Sequence, residues 1–231
     1  LQGLTQALAN EDAARRALAQ QAERALAAER LAAENKELRG LLELKPALAV
    51  KSQAAQVMYE AADPFSRKIY IDRGLAQGLV AGAPVVTEAG VIGQVTRVYP
   101  LSSEVTLLTD RNAAIPLLNQ RTQQRAAAFG GVEQGSAMEL RFVAANADVK
   151  EGDLLQTSGV DGVYPAGLPV ARIKTVERQA EGGFARITLA PVAAVDGVRH
   201  VLVLEPLREQ LPPPPAPQPA SAPKAAKGKK P

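Results

Sequence analysis

The sequence has no cysteine and no tryptophan, and its single histidine is His200. Without cysteine there is no disulfide scaffold and no thiolate metal site, and one imidazole cannot supply a multi-histidine centre. The 18 glycines and 17 prolines follow no triplet repeat, which excludes collagen. Aromatic residues make up only 3%, thin for stacking bases or building sugar platforms. No run approaches the roughly 20 apolar residues of a membrane-spanning helix, so the residues given are expected to be soluble. They start at Leu1 rather than Met, from which a fragment or processed form with an anchor upstream is expected. The missing cysteines fit an oxidising compartment, though many cytosolic proteins lack them too.

Positive charge is also scarcer than the pI of about 9.2 implies. Residues 212–231 hold Lys224, Lys227, Lys229 and Lys230 and no acid, and without them 23 basic residues face 24 acidic ones. The basic balance is a tail effect, and nucleic acid is not expected as a partner.

Three zones differ in composition. Residues 1–45 are rich in Ala, Leu, Glu, Arg and Gln, and Pro46 limits the helix that this propensity predicts. Glu11–Arg15 and Asp12–Arg16 are i,i+4 pairs with the acid first, the favourable order. One seam runs through Leu4, Leu8, Glu11, Arg15, Leu18, Ala22 and Ala25, and a stronger one through Leu31, Asn35, Leu38 and Leu42. Joining them through Ala28 needs a stammer. An Asn in such a seam can fix register and strand number. The first zone, 1–46, is therefore read as a self-associating coiled coil on the order of 65 Å long. The alternative is one helix packed on its own globular domain.

Residues 48–206 read as β. Alternation or β-branched runs occur at 55–59, 68–72, 85–87, 90–98, 104–108, 114–118, 137–143, 154–157, 168–176, 184–189 and 200–204, and Gly, Pro, Asp or Asn separates nearly every pair. Short strands without intervening amphipathic helices indicate small barrels or a sandwich. The expected boundaries are 48–125 for a first barrel, with 198–206 as a possible completing strand, and 126–206 for a second. The segment Gly78–Val85 echoes Gly162–Val170 with one inserted residue, either a duplication or a common way of entering a strand after a turn. The last zone, 207–231, is read as a disordered Pro/Ala/Lys tail, largely polyproline II.

Residues that could carry chemistry fail to assemble in sequence. His200 alternates with Val201 and Val203 and is read as a surface-exposed strand histidine. A serine hydrolase would need Ser158 with Asp153 or Asp161, but the only histidine follows every candidate serine, unlike the His-Asp-Ser order of two-barrel proteases. Asp148, Glu151, Asp153 and Asp161 lie close together without calcium-loop spacing. Residues 130–135 are glycine-rich but lack the P-loop lysine. No catalytic, cofactor or metal residues are assigned.

Several runs in order resemble the rod-shape-determining MreC family of the bacterial elongation machinery. They are Glu34-Asn35 with Leu38-Arg39 and Leu41-Leu42; Asp63-Pro64-Phe65-Ser66-Arg67 with Ile69, Ile71-Asp72 and Gly74; Gly78, Gly82 and Pro84-Val85-Val86; and Gly90-Val91-Ile92-Gly93-Gln94-Val95. Leu107-Leu108-Thr109-Asp110, Ile115-Pro116, Arg121-Thr122, Ala147-Asp148-Val149-Lys150, Gly152-Asp153-Leu154-Leu155, Thr157-Ser158-Gly159 and Gly167-Leu168-Pro169-Val170 continue the pattern, so the resemblance covers about residues 34–204. Where the family usually places a Gly after Arg121-Thr122, Gln123-Gln124 stands here, and that turn is expected to differ.

The resemblance implies a mainly β protein with an N-terminal coiled-coil helix and two small β-barrel subdomains, periplasmic and anchored to the inner membrane. It implies a scaffold without catalysis or cofactor, whose partners are MreB, MreD, RodA, the elongation-specific penicillin-binding protein and itself. In the family, binding favours an open, active transpeptidase. Leu31, Asn35, Leu38 and Leu42 are the candidates for self-association, and Pro64, Phe65 and Arg67 for the partner interface, with Phe65 as an exposed anchor or one tucked beneath its own loop. A competing reading is a periplasmic adaptor of an efflux or secretion pump, although adaptors usually carry a helical hairpin and only one heptad region occurs here.

Overall fold

The computed structural model describes residues 2–47, 50–63, 65–131, 138–178 and 183–207, with helix side chains described from Arg15 to Leu44. Pro64 and the segment from 208 onward lie outside the described residues. A single helix, α1 (Gln2–Ala47), ends one residue past Pro46. Twelve strands follow: β1 (Ser52–Glu60), β2 (Lys68–Ile71), β3 (Pro84–Thr87), β4 (Gly90–Val98), β5 (Ser103–Leu107), β6 (Ala114–Asn119), β7 (Arg125–Gly130), β8 (Met138–Arg141), β9 (Leu154–Thr157), β10 (Pro169–Arg178), β11 (Ala185–Pro191) and β12 (His200–Leu204).

They close two six-stranded antiparallel barrels, ordered β1-β12-β3-β4-β5-β2 and β10-β11-β8-β7-β6-β9. The chain leaves the first barrel after Leu107, not near 125, because β6 pairs with β7 and β9 of the second. It then returns with β12, which inserts between β1 and β3. Strand β7, Arg-Ala-Ala-Ala-Phe-Gly, carries no β-branched residue and was not expected from pattern. It pairs on both sides, with β6 and β8, and there the small, fully buried Ala128 suits the packing. The echoing segments enter β3 and β10, but β10 is paired with the strand before it, whereas β3 lies between β12 and β4. They share turn chemistry, with left-handed Gly78, Gly82, Gly162 and Gly167, and occupy different places in their barrels.

Alternation decides where the cores lie. Val201 and Val203 of β12 join Ile69, Ile71, Ile92 and Val105 inside the first barrel. Leu202 and Leu204, on the opposite face, join Val86 and Val91 in a second cluster that also contains the interior of the second barrel, including Leu117, Met138 and Ile187. Leu41 of α1 is 3% exposed in the same cluster, with Leu44 packed against it. The outer face of β12, β3 and β4 is thus the seat for the helix and the other barrel. Contact there is close: a Cβ on Gly90, whose φ is +150°, would lie 2.3 Å from the carbonyl oxygen of Pro169.

The β6–β7 turn answers the substitution noted in the sequence. Gln123 adopts φ 59°, the left-handed conformation that glycine favours, so a residue with a Cβ is held under strain in this turn. Asn119 fixes it: its Oδ1 accepts N–H bonds from Arg121 (2.9 Å) and Thr122 (3.3 Å), while the Gln123 N–H donates to the Asn119 carbonyl (2.8 Å).

Two outcomes follow from this packing. Leu202→Ala should lower the unfolding free energy by about 2–5 kcal/mol and split the calorimetric transition, since the barrels lose their shared cluster; one transition at unchanged Tm would refute that dependence. Gln123→Gly should stabilise the protein by about 0.5–1 kcal/mol in denaturant melts, because relief of left-handed strain exceeds the added freedom of the unfolded chain.

Candidate interaction surfaces

The helix presents two faces of different use. On one, Glu37 Oε1 accepts the backbone N–H of His200 (3.0 Å), and His200 lies between Glu37 (Nδ1–Oε2, 3.4 Å) and Glu34 (Nε2–Oε1, 3.9 Å). A Cβ on Gly40 of this face would come within 1.7 Å of Glu88 Oε2 from the β3–β4 turn. His200 is accordingly not the exposed strand histidine expected: its side chain is 15% exposed beneath α1, because it shares the outer face of β12 with Leu202 and Leu204. The offset of Leu41 and Leu44 from the Leu31–Leu42 seam was the sequence signal for this docking face.

The other face carries the predicted seam. Leu31 and Leu42 are 58% and 67% exposed, Leu38 is also exposed, and Asn35 is exposed beside them. Leu18 and Leu26, farther toward the N-terminus, are also exposed, but at about 100° per residue they lie off this seam.

The β1–β2 loop places Phe65 at 73% exposure. Its backbone is built, not loose: Phe65 N–H donates to Asp63 Oδ1 (2.9 Å), and Arg67 N–H donates to Asp110 Oδ2 (2.8 Å). Asp110 is fully buried and also accepts from Asn112 N–H (2.8 Å). The Arg67 guanidinium pairs with Asp196, and Arg111 lies 5.9 Å from the Phe65 ring centroid. Phe65 and Arg67 thus share one braced loop, with the buried carboxylate of Asp110, not singled out in the sequence, as its support.

Beside that loop lies a groove of about 760 Å³, lined by Tyr59, Tyr70 and Tyr99 and by Glu60, Asp63, Lys68 and Glu104. Three of the chain's four tyrosines meet here. The rings of Tyr59 and Tyr70 stack with centroids 4.7 Å apart. Glu104, 4% exposed, accepts from Lys68 Nζ (3.0 Å), Thr96 Oγ1 (3.0 Å) and the Tyr70 hydroxyl (3.1 Å). Burial alone would raise its carboxyl, but these three donors outweigh it and hold the group below the usual carboxylate range. Burial and this same carboxylate push the Tyr70 phenol upward. On the second barrel, Phe142 and Phe184 meet edge-on with centroids 6.3 Å apart; both are exposed, and Phe142 has φ 62°. Neither cluster was singled out in sequence, where single aromatics look like core residues; the scarcity of aromatics was the available signal.

The candidate chemical residues have structural partners. Arg121 clamps Asp153 (Nε–Oδ1, 2.8 Å) and Asp148 (Nη1–Oδ2, 2.8 Å). With Asn119 Nδ2 and the Lys150 N–H, Arg121 outweighs burial and holds Asp153 well below the usual carboxylate range. Asp161 Oδ1 accepts the N–H groups of Val163 (3.0 Å) and Tyr164 (3.2 Å). Ser158 Oγ is buried without a hydrogen-bond partner, while the His200 nitrogens face α1. Among the described residues, Ser158, His200 and Asp153 or Asp161 have separate surroundings and do not form one site.

Comparison with known proteins gives a consistent result. The family model described as rod shape-determining protein MreC, barrel core, matches residues 57–205. The cell shape-determining protein MreC of Escherichia coli (strain K12) is 34% identical over 171 residues, covering 74% of this chain and 46% of that protein. Its counterpart in Haemophilus influenzae is 35% identical over 178 residues, covering 77% and 50%. The chain thus spans about half the length of these curated relatives. Among solved structures, one described as MreC aligns with TM-score 0.71 at 37% identity, covering 76% of this chain and 99% of the other. MreC from Pseudomonas aeruginosa aligns with TM-score 0.63 at 38% identity, covering 67% and 99%. A complex between penicillin-binding protein PBP2 and MreC from Helicobacter pylori shares the fold, with TM-score 0.53 at 16% identity over 67% of this chain and 98% of that one. The double barrel, the ordered motifs and relatives a third identical over three quarters of the sequence agree: this chain belongs to the MreC family of cell shape-determining proteins.

Proposed function

We propose that this chain is a non-catalytic periplasmic scaffold that self-associates through α1 and holds a peptidoglycan transpeptidase through exposed aromatic surfaces. The observation that carries the reading is where the aromatics lie. Of four tyrosines and four phenylalanines, only Tyr164 is among the buried hydrophobic residues, whereas Tyr59, Tyr99, Phe65, Phe142 and Phe184 are exposed. Aromatic side chains dominate interface energetics, and a core filled by Val, Ile and Leu leaves them for that use. Supporting it, the Helicobacter pylori relative was solved as a complex with a penicillin-binding protein.

In this reading the Phe65 loop, with Pro64 and Arg67, contacts the elongation-specific penicillin-binding protein, and that contact favours its active state. Leu31, Asn35, Leu38 and Leu42 form the self-association seam. An N-terminal anchor in the inner membrane brings the scaffold near RodA, MreD and, across the membrane, MreB. Catalysis belongs to the enzymes held, which accords with Arg121 clamping Asp148 and Asp153 and with His200 serving the helix contact.

Two measurements test this. Replacing Leu38 and Leu42 by Lys should convert the sedimenting species to monomer at unchanged Tm, because neither side chain belongs to the docked face; a persisting dimer rules out the seam. Phe65→Ala should weaken binding to the periplasmic part of the elongation transpeptidase at least about tenfold, read by interferometry, again without loss of Tm. Equal affinity would remove Phe65 from the interface.

A further inference from the structure

The tyrosine groove of the first barrel has the chemistry of a site for proline-rich chain, and this protein carries such a chain itself. Polyproline II is pre-extended and has few N–H groups, so its recognition relies on aromatic rings that pack between prolyl rings and on donors that reach prolyl carbonyls. Tyr59 and Tyr99 supply exposed rings at the groove. Tyr70 is held in place by its stack on Tyr59 and its bond to Glu104. The Lys68 ammonium and the phenol hydroxyls are donors of the required kind.

Charge narrows the choice of occupant. Glu104 is matched by Lys68 inside the groove, while Glu60 and Asp63 add two further carboxylates along its wall. A basic proline-rich segment suits such a surface better than an acidic one. Residues 212–223, Pro-Pro-Pro-Pro-Ala-Pro-Gln-Pro-Ala-Ser-Ala-Pro, are followed at once by Lys224, Lys227, Lys229 and Lys230, with no acid from 212 to 231.

Reach is sufficient. Leu204 pairs with Ser52 at one end of β1, and Tyr59 lies near the other, about 23 Å away at 3.3 Å per residue. The chain runs on past Leu204 away from Tyr59, so Leu207, where the described chain ends, lies up to about 33 Å from it, and ten residues to Pro217 span about 33–36 Å extended. The remaining prolines can then lie along the groove.

We propose that the proline-rich tail of this chain docks through Pro217, Pro219 and Pro223 in the groove formed by Tyr59, Tyr70 and Tyr99, with its lysines directed to Glu60 and Asp63. The segment would then sit next to the Phe65 loop, so tail and partner compete for neighbouring surface.

The absence of cysteine makes a clean test possible in the full chain. Ser221→Cys carries a single nitroxide label, and paramagnetic broadening is read on backbone amides. Broadening concentrated on residues 59–63 and 99–104, reduced at least threefold by Tyr59→Ala with Tyr99→Ala, is the expected result. Because those tyrosines are exposed, Tm should hold; should the pair unfold the barrel, Glu60→Lys serves instead and should weaken the same broadening by charge repulsion. Broadening spread evenly over the surface, or absent from the groove, overturns the proposal. So does a chitooligosaccharide titration that shifts the groove amides while the label leaves them sharp, since the groove would then belong to glycan. Neither result bears on transpeptidase binding, which is measured separately on Phe65→Ala.

Discussion

Five residues near the end of the folded chain, His200–Leu204, are buried on both sides, and most of the architecture depends on that. Val201 and Val203 complete the interior of the first barrel; Leu202 and Leu204 enter the cluster shared with the second barrel and Leu41 of the helix. A strand covered on two faces reads as a continuous apolar run rather than as alternation, and Val-Leu-Val-Leu is such a run. Because β12 arrives some ninety residues after β5, the first barrel cannot close until the second has been traversed by the chain. The second barrel is thus an insertion in the first, and separation of the two would open the insertion point as well as the interface.

The same arrangement explains what is left on the surface. Packing on β12 uses the Glu34, Glu37 and Leu41 face of α1, and at 3.6 residues per turn that leaves the Leu31–Leu42 seam turned away. Closed barrels have no free strand edges to add to, so association has to rely on side chains. That places the weight on exposed aromatics, and the chain displays them on loops and strand ends while filling its cores with aliphatic residues. Their supports are buried carboxylates: Asp110 beneath the Phe65 loop and Glu104 beneath the tyrosines, each satisfied by several donors. A buried carboxylate without its donors would be costly, so these two residues hold their surfaces in shape.

Much of this could be read before the structure, and the omissions have physical causes. The helix, the β character of 48–206 and most strands follow from propensity and period. Strand β7 did not show because alanines adopt a strand only where a crowded barrel wants small side chains. The barrel boundary was misplaced because β6, with Ile115 and Leu117 alternating, carries no mark of which barrel it joins; pairing is a tertiary choice. His200 was assigned to the right strand and to the face opposite Val201, yet that face is covered by a helix more than 150 residues away in sequence. The seam is legible as 4-3-4 spacing and Phe65 as an aromatic between Pro64 and Arg67, whereas the tyrosine groove needs three distant segments, at 59, 70 and 99, to be brought together by β-pairing.

The His200 contact carries a further consequence for the proposed assembly. Glu37 accepts the main-chain N–H of the residue that begins β12 and lies 3.4 Å from its imidazole, and Leu41 follows one turn later into the cluster behind that strand. Polar anchor and apolar anchor therefore fix the helix at two successive turns, which sets its direction as well as its position. A rod fixed only by Leu41 could pivot about it. With the direction set, pairing through the outward seam would also set the angle between two copies, and hence which aromatic surfaces face the same way. On this argument, the geometry of the proposed assembly is decided at the junction of α1 with β12.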